Sequence, residues 1–295
     1  MRYMRAGDWE AAWRISDREM LERTQPDLPR HLQQIWDGRS LHSQRVLVRC
    51  YHGLGDTVQF IRFMPQLRQI ASAVIVWCQP QLIALLQTAR GIDCLLPLHD
   101  GIPQTHYDVD IELMEVPHAL RSNLQTLPKQ VPYFHIQPAR VRSASAGPIR
   151  VGVVWQSGDW DSRRCILPAL LRAVMQSASG IRWFILQRGP ALADWHYTDG
   201  LAEIPPITGI LDEAAALSEL DLLISVDTLS AHLAGALGVR TWTLLPFESD
   251  WRWMDHREDS PWYPTMRLFR QQRPGDWAQV IERVGYCLQQ LINVE

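Results

Sequence analysis

Three stretches hold residue types whose spacing could do chemistry. The first is Ser225-Val226-Asp227-Thr228-Leu229-Ser230-Ala231-His232, which follows the apolar run Leu220-Asp221-Leu222-Leu223-Ile224 and precedes Leu233-Ala234-Gly235-Ala236-Leu237-Gly238. This pattern predicts a buried strand, a turn and a helix. The side-chain oxygens of Asp227, Thr228 and Ser230 suit the free amides of a first helical turn. Such a terminus also suits a phosphate, to which His232, one turn in, could add a donor. A capped helix without a ligand accounts for the same residues equally well.

The second stretch is His52-Gly53-Leu54-Gly55-Asp56-Thr57. Gly53 and Gly55 would let the backbone approach a ligand closely, with Asp56 at a helix start. A carboxylate there could take a proton from an attacking hydroxyl or simply cap the helix. A dinucleotide fingerprint is excluded, because its third glycine would fall on Val58. The third stretch runs from Val153 to Arg164 and ends in the adjacent Arg163 and Arg164, whose forks match phosphate oxygens. Near it in pattern, Gln187 closes another apolar run and could read a base or ribose.

These turns need a frame, and the chain supplies alternating strands and helices. Strands are expected at 45–51, 73–78, 92–96 and 107–111, then at 149–155, 183–186, the run before Asp227, and 240–245. Helices are expected after 57 with a break at Pro65, over 79–88, 168–176, 212–217, after Asp227 and over 276–292. Such alternation argues for α/β units with parallel sheets whose ligands sit beyond the carboxyl ends of the strands. Residues 137–148 are small, polar and proline-bounded and read as a linker. The expected organisation is a helical extension over 1–40, an N-terminal Rossmann-like domain over 41–138 and a C-terminal one over 149–295 facing it across a cleft. The final helix is able to pack back on the first domain. Residues 246–274, rich in Trp, Pro and Arg, read as irregular, with most of their aromatics packing.

Composition narrows the class. Apolar residues at 46% and charged residues at 21% suit a globular chain with two cores. A net charge of −3 with scattered Lys and Arg gives no nucleic-acid footprint. The five cysteines, Cys50, Cys78, Cys94, Cys165 and Cys287, have no metal-type spacing, so a reducing compartment is expected. His106 and His118 flank acidic residues, but alternate strand positions point apart, so no metal site is expected. No signal peptide or membrane-length run is visible, and the expected location is the cytoplasm.

Taken together, Gly53-Leu54-Gly55-Asp56-Thr57-Val58-Gln59-Phe60, the block Asp227-Thr228 to His232-Leu233 with Gly235-Ala236-Leu237-Gly238, and the tail Asp250-Trp251-Arg252-Trp253, Ser260-Pro261-Trp262-Tyr263-Pro264 and Arg267-Leu268-Phe269-Arg270-Gln271 resemble glycosyltransferase family 9. That family includes the ADP-heptose:lipopolysaccharide heptosyltransferases, and the tail resembles its branch found in bacterial tetratricopeptide-repeat proteins. Gly7-Asp8-Trp9-Glu10-Ala11-Ala12-Trp13 is similar to one fragment of such a repeat. The resemblance implies a GT-B fold and a hexosyl- or heptosyltransferase-like enzyme. It implies transfer from a nucleoside-diphosphate sugar with inversion, needing no metal or cofactor. It places the proposed base on Asp56 and the diphosphate on Asp227, Thr228 and His232, with Ser230 in the same turn. It places the charge-neutralising cation on Arg164 with Arg163 beside it, and the nucleoside contact on Gln187. The acceptor would be a glycan, a lipid-linked glycan or a protein hydroxyl. Leu229 stands where the heptosyltransferases usually have a glycine. The competing expectation is a catalytically silent nucleotide-sugar-binding or scaffold module.

Overall fold

The computed structural model describes residues 1–23, 28–136, 147–158, 161–196 and 199–294. Most of the expected linker, 137–146, lies outside the described residues, as do Asp159 and Trp160 of the arginine loop. The chain divides into two compact units, Met1–His135 and Ile136–Glu295.

The first unit is built on a four-stranded parallel sheet: β1 (Arg45–Arg49), β2 (Ala73–Cys78), β3 (Cys94–Pro97) and β4 (Val109–Glu112), in the order β3-β2-β1-β4. Its helices are α1 (Arg2–Arg5), α2 (Trp9–Glu22), α3 (Leu54–Phe60), α4 (Met64–Ile70), α5 (Ile83–Leu86) and α6 (Val116–Ala119). The helix expected after Asp56 breaks before Pro65. A 3-10 turn over Ile61–Phe63 separates α3 from α4, which places the proline in the first turn of α4, where its missing N–H costs no helical bond. Among the described residues of the N-terminal extension, one helix of length forms. Asp8 caps α2 by accepting from the Ala11 amide at 3.0 Å. The α2 helix docks through Trp13 Nε1, which donates to the Ser122 carbonyl at 2.7 Å, and through Asp17, which pairs with His118 Nε2 at 2.8 Å and with both Nη atoms of Arg121. The His118 ring also stacks on Trp13. This hydrogen bond to Asp17 is where His118 is used, and no group of three or more potential metal ligands occurs among the described residues.

The second unit carries β5 (Ile149–Val154), β6 (Ile181–Ile185), β7 (Ala202–Glu203), β8 (Leu222–Val226), β9 (Thr241–Leu245) and β10 (Met266–Arg270). All pair in parallel, in the order β10-β9-β8-β5-β6-β7. Counted within the unit this is the doubly wound Rossmann order, with the reversal between β5 and β8. Strands β8 and β9 are buried at every residue, as apolar parallel strands covered on both faces must be. The helices are α7 (Pro168–Ser177), α8 (Ile210–Ser218), α9 (Leu229–Ala236) and α10 (Trp277–Val294). The last helix packs on α7 and β10, placing Val280, Val284 and Leu288 in a core with Val151, Val153, Trp183, Ile224 and Phe269. The stretch 246–274 is not wholly irregular: β10 closes one edge of the sheet, and Ala202–Glu203 adds a two-residue strand at the other. No helix of the described residues is long and apolar enough to cross a membrane.

Candidate functional site

In the second unit the chemistry-bearing residues collect where the sheet order reverses. Asp227 directly follows β8 and is buried. Its Oδ2 lies 3.3 Å from Arg164 Nη1, which also donates to the Asp227 carbonyl at 3.1 Å, and its Oδ1 lies 3.4 Å from His232 Nε2. Burial alone would raise the pKa of this carboxyl. The His232 hydrogen bond and the charges of His232, Arg164 and Arg252 outweigh burial and hold the group well below the usual carboxylate range. Thr228 is the N-cap of α9: its hydroxyl accepts from the Ala231 amide at 3.3 Å and meets Ser225 Oγ at 2.9 Å. The first-turn amides of α9 therefore open beside a fixed Arg164–Asp227–His232 triad, an arrangement suited to an anion.

The tail motif explains how His232 is held. Its Nδ1 pairs with the Tyr263 hydroxyl at 3.0 Å, and its ring stacks on Trp253 with centroids 5.3 Å apart. Trp253, Trp262 and Tyr263 are all fully buried, and Trp262 Nε1 donates to the Arg252 carbonyl at 2.8 Å. Gly235 is required here by contact: a Cβ would lie 2.5 Å from Tyr263 Cδ1, so only glycine lets the ring lie flat on α9. The aromatic tail thus packs, as its density suggests, and through that packing it aims the histidine.

Three residues singled out from sequence are held by contacts within the protein. Ser230 Oγ donates to Glu213 Oε1 at 2.6 Å. Arg163 is exposed and spends its guanidinium on Asp161 and Glu248. Gln187 is buried and bridges strand ends: its Oε1 accepts from the amides of Trp155 and Gln156 at 3.1 and 2.9 Å, and its Nε2 donates to the carbonyls of Gln156 and Arg188. Sequence reasoning passed over Glu213 and Arg188. The available signal was an acidic residue in the first turn of the helix preceding β8, with an arginine beyond β6.

In the first unit, β1 leads into the turn that carries Asp56. The Asp56 carboxylate accepts the Gly53 amide at 2.9 Å and so closes the first turn of α3. A Cβ on Gly53 would meet that carboxylate oxygen at 3.0 Å, which accounts for the glycine. The turn is braced from β2: Thr57 Oγ1 donates to Gln79 Oε1 at 3.0 Å, and Gln79 Nε2 donates to the His52 carbonyl at 2.7 Å. His52 Nδ1 lies 2.9 Å from Glu112, a fully buried carboxylate at the end of β4 that also accepts the Tyr51 and Met114 amides. Below the turn sit the buried thiols of Cys50 and Cys78. Burial drives both pKa values up, that of Cys78 to about 12, so neither is a nucleophile at neutral pH.

No protein-family profile matches the sequence. Among curated proteins the chain is similar to the protein FlbA of Caulobacter vibrioides, at 25% identity over 286 aligned residues, covering 86% of this chain and 48% of that protein. The chain thus spans about half the length of the curated relative it matches. Its fold is similar to that of a glycosyl transferase family 9 protein from Veillonella parvula, with a TM-score of 0.61 at 12% identity over 87% of this chain and 99% of the other. It is also similar to TibC of enterotoxigenic Escherichia coli, a dodecameric iron-containing heptosyltransferase solved in complex with ADP-D-β-D-heptose, with a TM-score of 0.54 at 14% identity over 86% and 77% of the two chains. The fold is therefore the one these bacterial glycosyltransferases share, and the resemblance carried by the motifs is found again in the backbone.

Proposed function

We propose that the chain is a family 9 glycosyltransferase that moves a sugar from a nucleoside diphosphate to an acceptor hydroxyl with inversion. The observation that carries this reading is the Arg164–Asp227–His232 triad at the amino end of α9, where the sheet order reverses. A diphosphate held there meets helix amides, a guanidinium fixed by a buried carboxylate, and an imidazole fixed by Tyr263. As the bond between the anomeric carbon and the diphosphate oxygen breaks, negative charge grows on that oxygen, and these preorganised groups stabilise it. The acceptor oxygen attacks the opposite face of the anomeric carbon and passes its proton to the Asp56 carboxylate. In this scheme the protein's cations and amides carry the load that a metal would otherwise take. Gln187 acts by locking the ends of β5 and β6 under the nucleotide, and Arg163 acts on the loop that presents Arg164.

A thermal-shift screen against ADP, GDP, UDP, dTDP and their sugars tests the binding half, since a ligand selective for the native state raises the melting temperature. Asp56→Ala tests the chemical half: transfer should fall by at least about 10²-fold with nucleotide binding retained. Unimpaired turnover in that variant removes Asp56 from the mechanism. One observation favours a silent binding module instead. Asp56 already accepts the Gly53 amide, which is a sufficient structural reason for an acid at that position. Nucleotide binding without transfer or donor hydrolysis in the wild type would decide for that second reading.

A further inference from the structure

We infer that Arg188 is a second cation for the donor's diphosphate, and that Glu213 is the residue that positions it. The inference rests on the reading of α9 as the diphosphate cradle. Arg188 lies just beyond β6 with its side chain 41% exposed, and its Nη1 donates to Glu213 Oε2 at 2.8 Å. Glu213, in the first turn of α8, is only 1% exposed, and its other oxygen accepts the Ser230 hydroxyl. A single carboxylate therefore ties the guanidinium to the second residue of α9.

A buried carboxylate is costly unless it is paired, so the pairing is strongly determined. Its effect is to hold a guanidinium at the ligand end of the sheet by one edge. The Nε and Nη2 of Arg188 hydrogen-bond to no described residue. Arg163, by contrast, is engaged by two carboxylates, and Arg164 lies against Asp227. Arg188 is thus a guanidinium of this region with a fixed direction and donors to spare, the geometry that grips phosphate oxygens in a fork. In the sheet, β6 lies two strands from β8, roughly 10 Å at the usual spacing. A diphosphate seated on α9 would place its nucleoside-side phosphate toward Arg188 and its leaving oxygen toward Arg164 and His232.

The test is calorimetry on the full chain with ADP, GDP, UDP and dTDP and the matching nucleosides, comparing wild type, Arg188→Gln, Arg188→Lys, Glu213→Gln and Arg164→Gln. Gln and Lys at 188 both keep a donor for Glu213, and unliganded melting curves report whether the fold survives. Arg188→Gln should weaken the preferred diphosphate by about tenfold or more, the usual weight of a hydrogen bond to a charged group, with the nucleoside unchanged. It should also flatten the salt dependence. Arg188→Lys should fall between, and Glu213→Gln should lower diphosphate affinity in the same sense. Wild-type diphosphate affinity in Arg188→Gln, alongside a loss in Arg164→Gln, overturns the role of Arg188 and leaves the cradle standing. Equal losses for nucleoside and diphosphate also overturn it. No nucleotide binding by the wild type overturns the cradle itself.

Discussion

Gly235→Ala isolates one contact that joins packing to chemistry. The added methyl carbon would lie 2.5, 2.6 and 2.9 Å from three ring atoms of Tyr263, well inside contact distance. The ring is fully buried, and its hydroxyl is tied to His232, so no flexible chain end can move aside. Overpacking of this kind costs about 1–3 kcal/mol. For a unit of this size each kcal/mol lowers the melting temperature by roughly 2–4 °C, so a fall of about 2–12 °C is expected. The same shift should release His232 and weaken binding of whichever nucleoside diphosphate the wild type prefers. Denaturant melts of Gly235→Ala, Tyr263→Leu, Tyr263→Phe and the two double variants form cycles. Removing the ring should relieve the clash and give a coupling of about 1 kcal/mol or more between 235 and 263. Tyr263→Phe keeps the ring and should show little relief. A Gly235→Ala protein within about 0.5 kcal/mol of wild type, or an absent coupling in the leucine cycle, would refute the reasoning.

Other outcomes follow from the same contacts. Asp227→Asn leaves the largely shielded Arg164 beside a neutral partner and should cost about 3 kcal/mol or more in a denaturant melt. Because the folded pKa of Asp227 is depressed, its stabilisation is present above the unfolded value near 4 and is lost as pH falls below it. The wild type should therefore lose stability relative to Asp227→Asn as the pH drops below about 4, and parallel acid limbs in the two proteins would contradict the assignment. Asp17→Asn removes the partner of both His118 and Arg121 and should cost on the order of 1 kcal/mol. Trypsin should then cut at Arg14 or Arg18 faster than in wild type. Iodoacetamide at pH 8, followed by mass spectrometry, should label the exposed Cys94 first and leave Cys50 and Cys78 unmodified until the chain unfolds.

Much of the fold was legible because parallel strands buried on both faces leave uninterrupted apolar runs, as at Leu222–Val226 and Thr241–Leu245. The edges were not. In β10, Arg267 and Arg270 flank Leu268 and Phe269, and the aliphatic-to-cationic alternation conceals a strand. The structure shows why it pairs nonetheless. The guanidiniums of Arg267 and Arg283 lie over the Phe269 ring, and both pair with Glu258, so the charges lie along the sheet rather than in it. Charged residues on an edge strand also discourage pairing with another chain. The two-residue β7 is too short for any periodicity to mark it.

The candidate site was legible as turns but not as directions. Both Gln187 and Arg188 are polar residues just past a strand, and spacing alone favours neither. Both faces of β6 are covered, since Phe184 and Leu186 are buried just as Trp183 and Ile185 are, so strand parity does not separate them; Gln187 is buried against the β5 end. Arg188 stays exposed, and only the fold reveals that a carboxylate from the next helix, Glu213, holds it. The same holds for His232, which sequence places on α9 but whose orientation is set by Trp253 and Tyr263, about one turn-rich segment later in the chain. A residue type at a strand end thus states which chemistry is available, and the partners that aim it come from elements distant in sequence. The tail motif is therefore as much a part of the proposed anion site as the Asp227 turn, and losing Tyr263 should weaken diphosphate binding even though its ring never needs to touch the ligand.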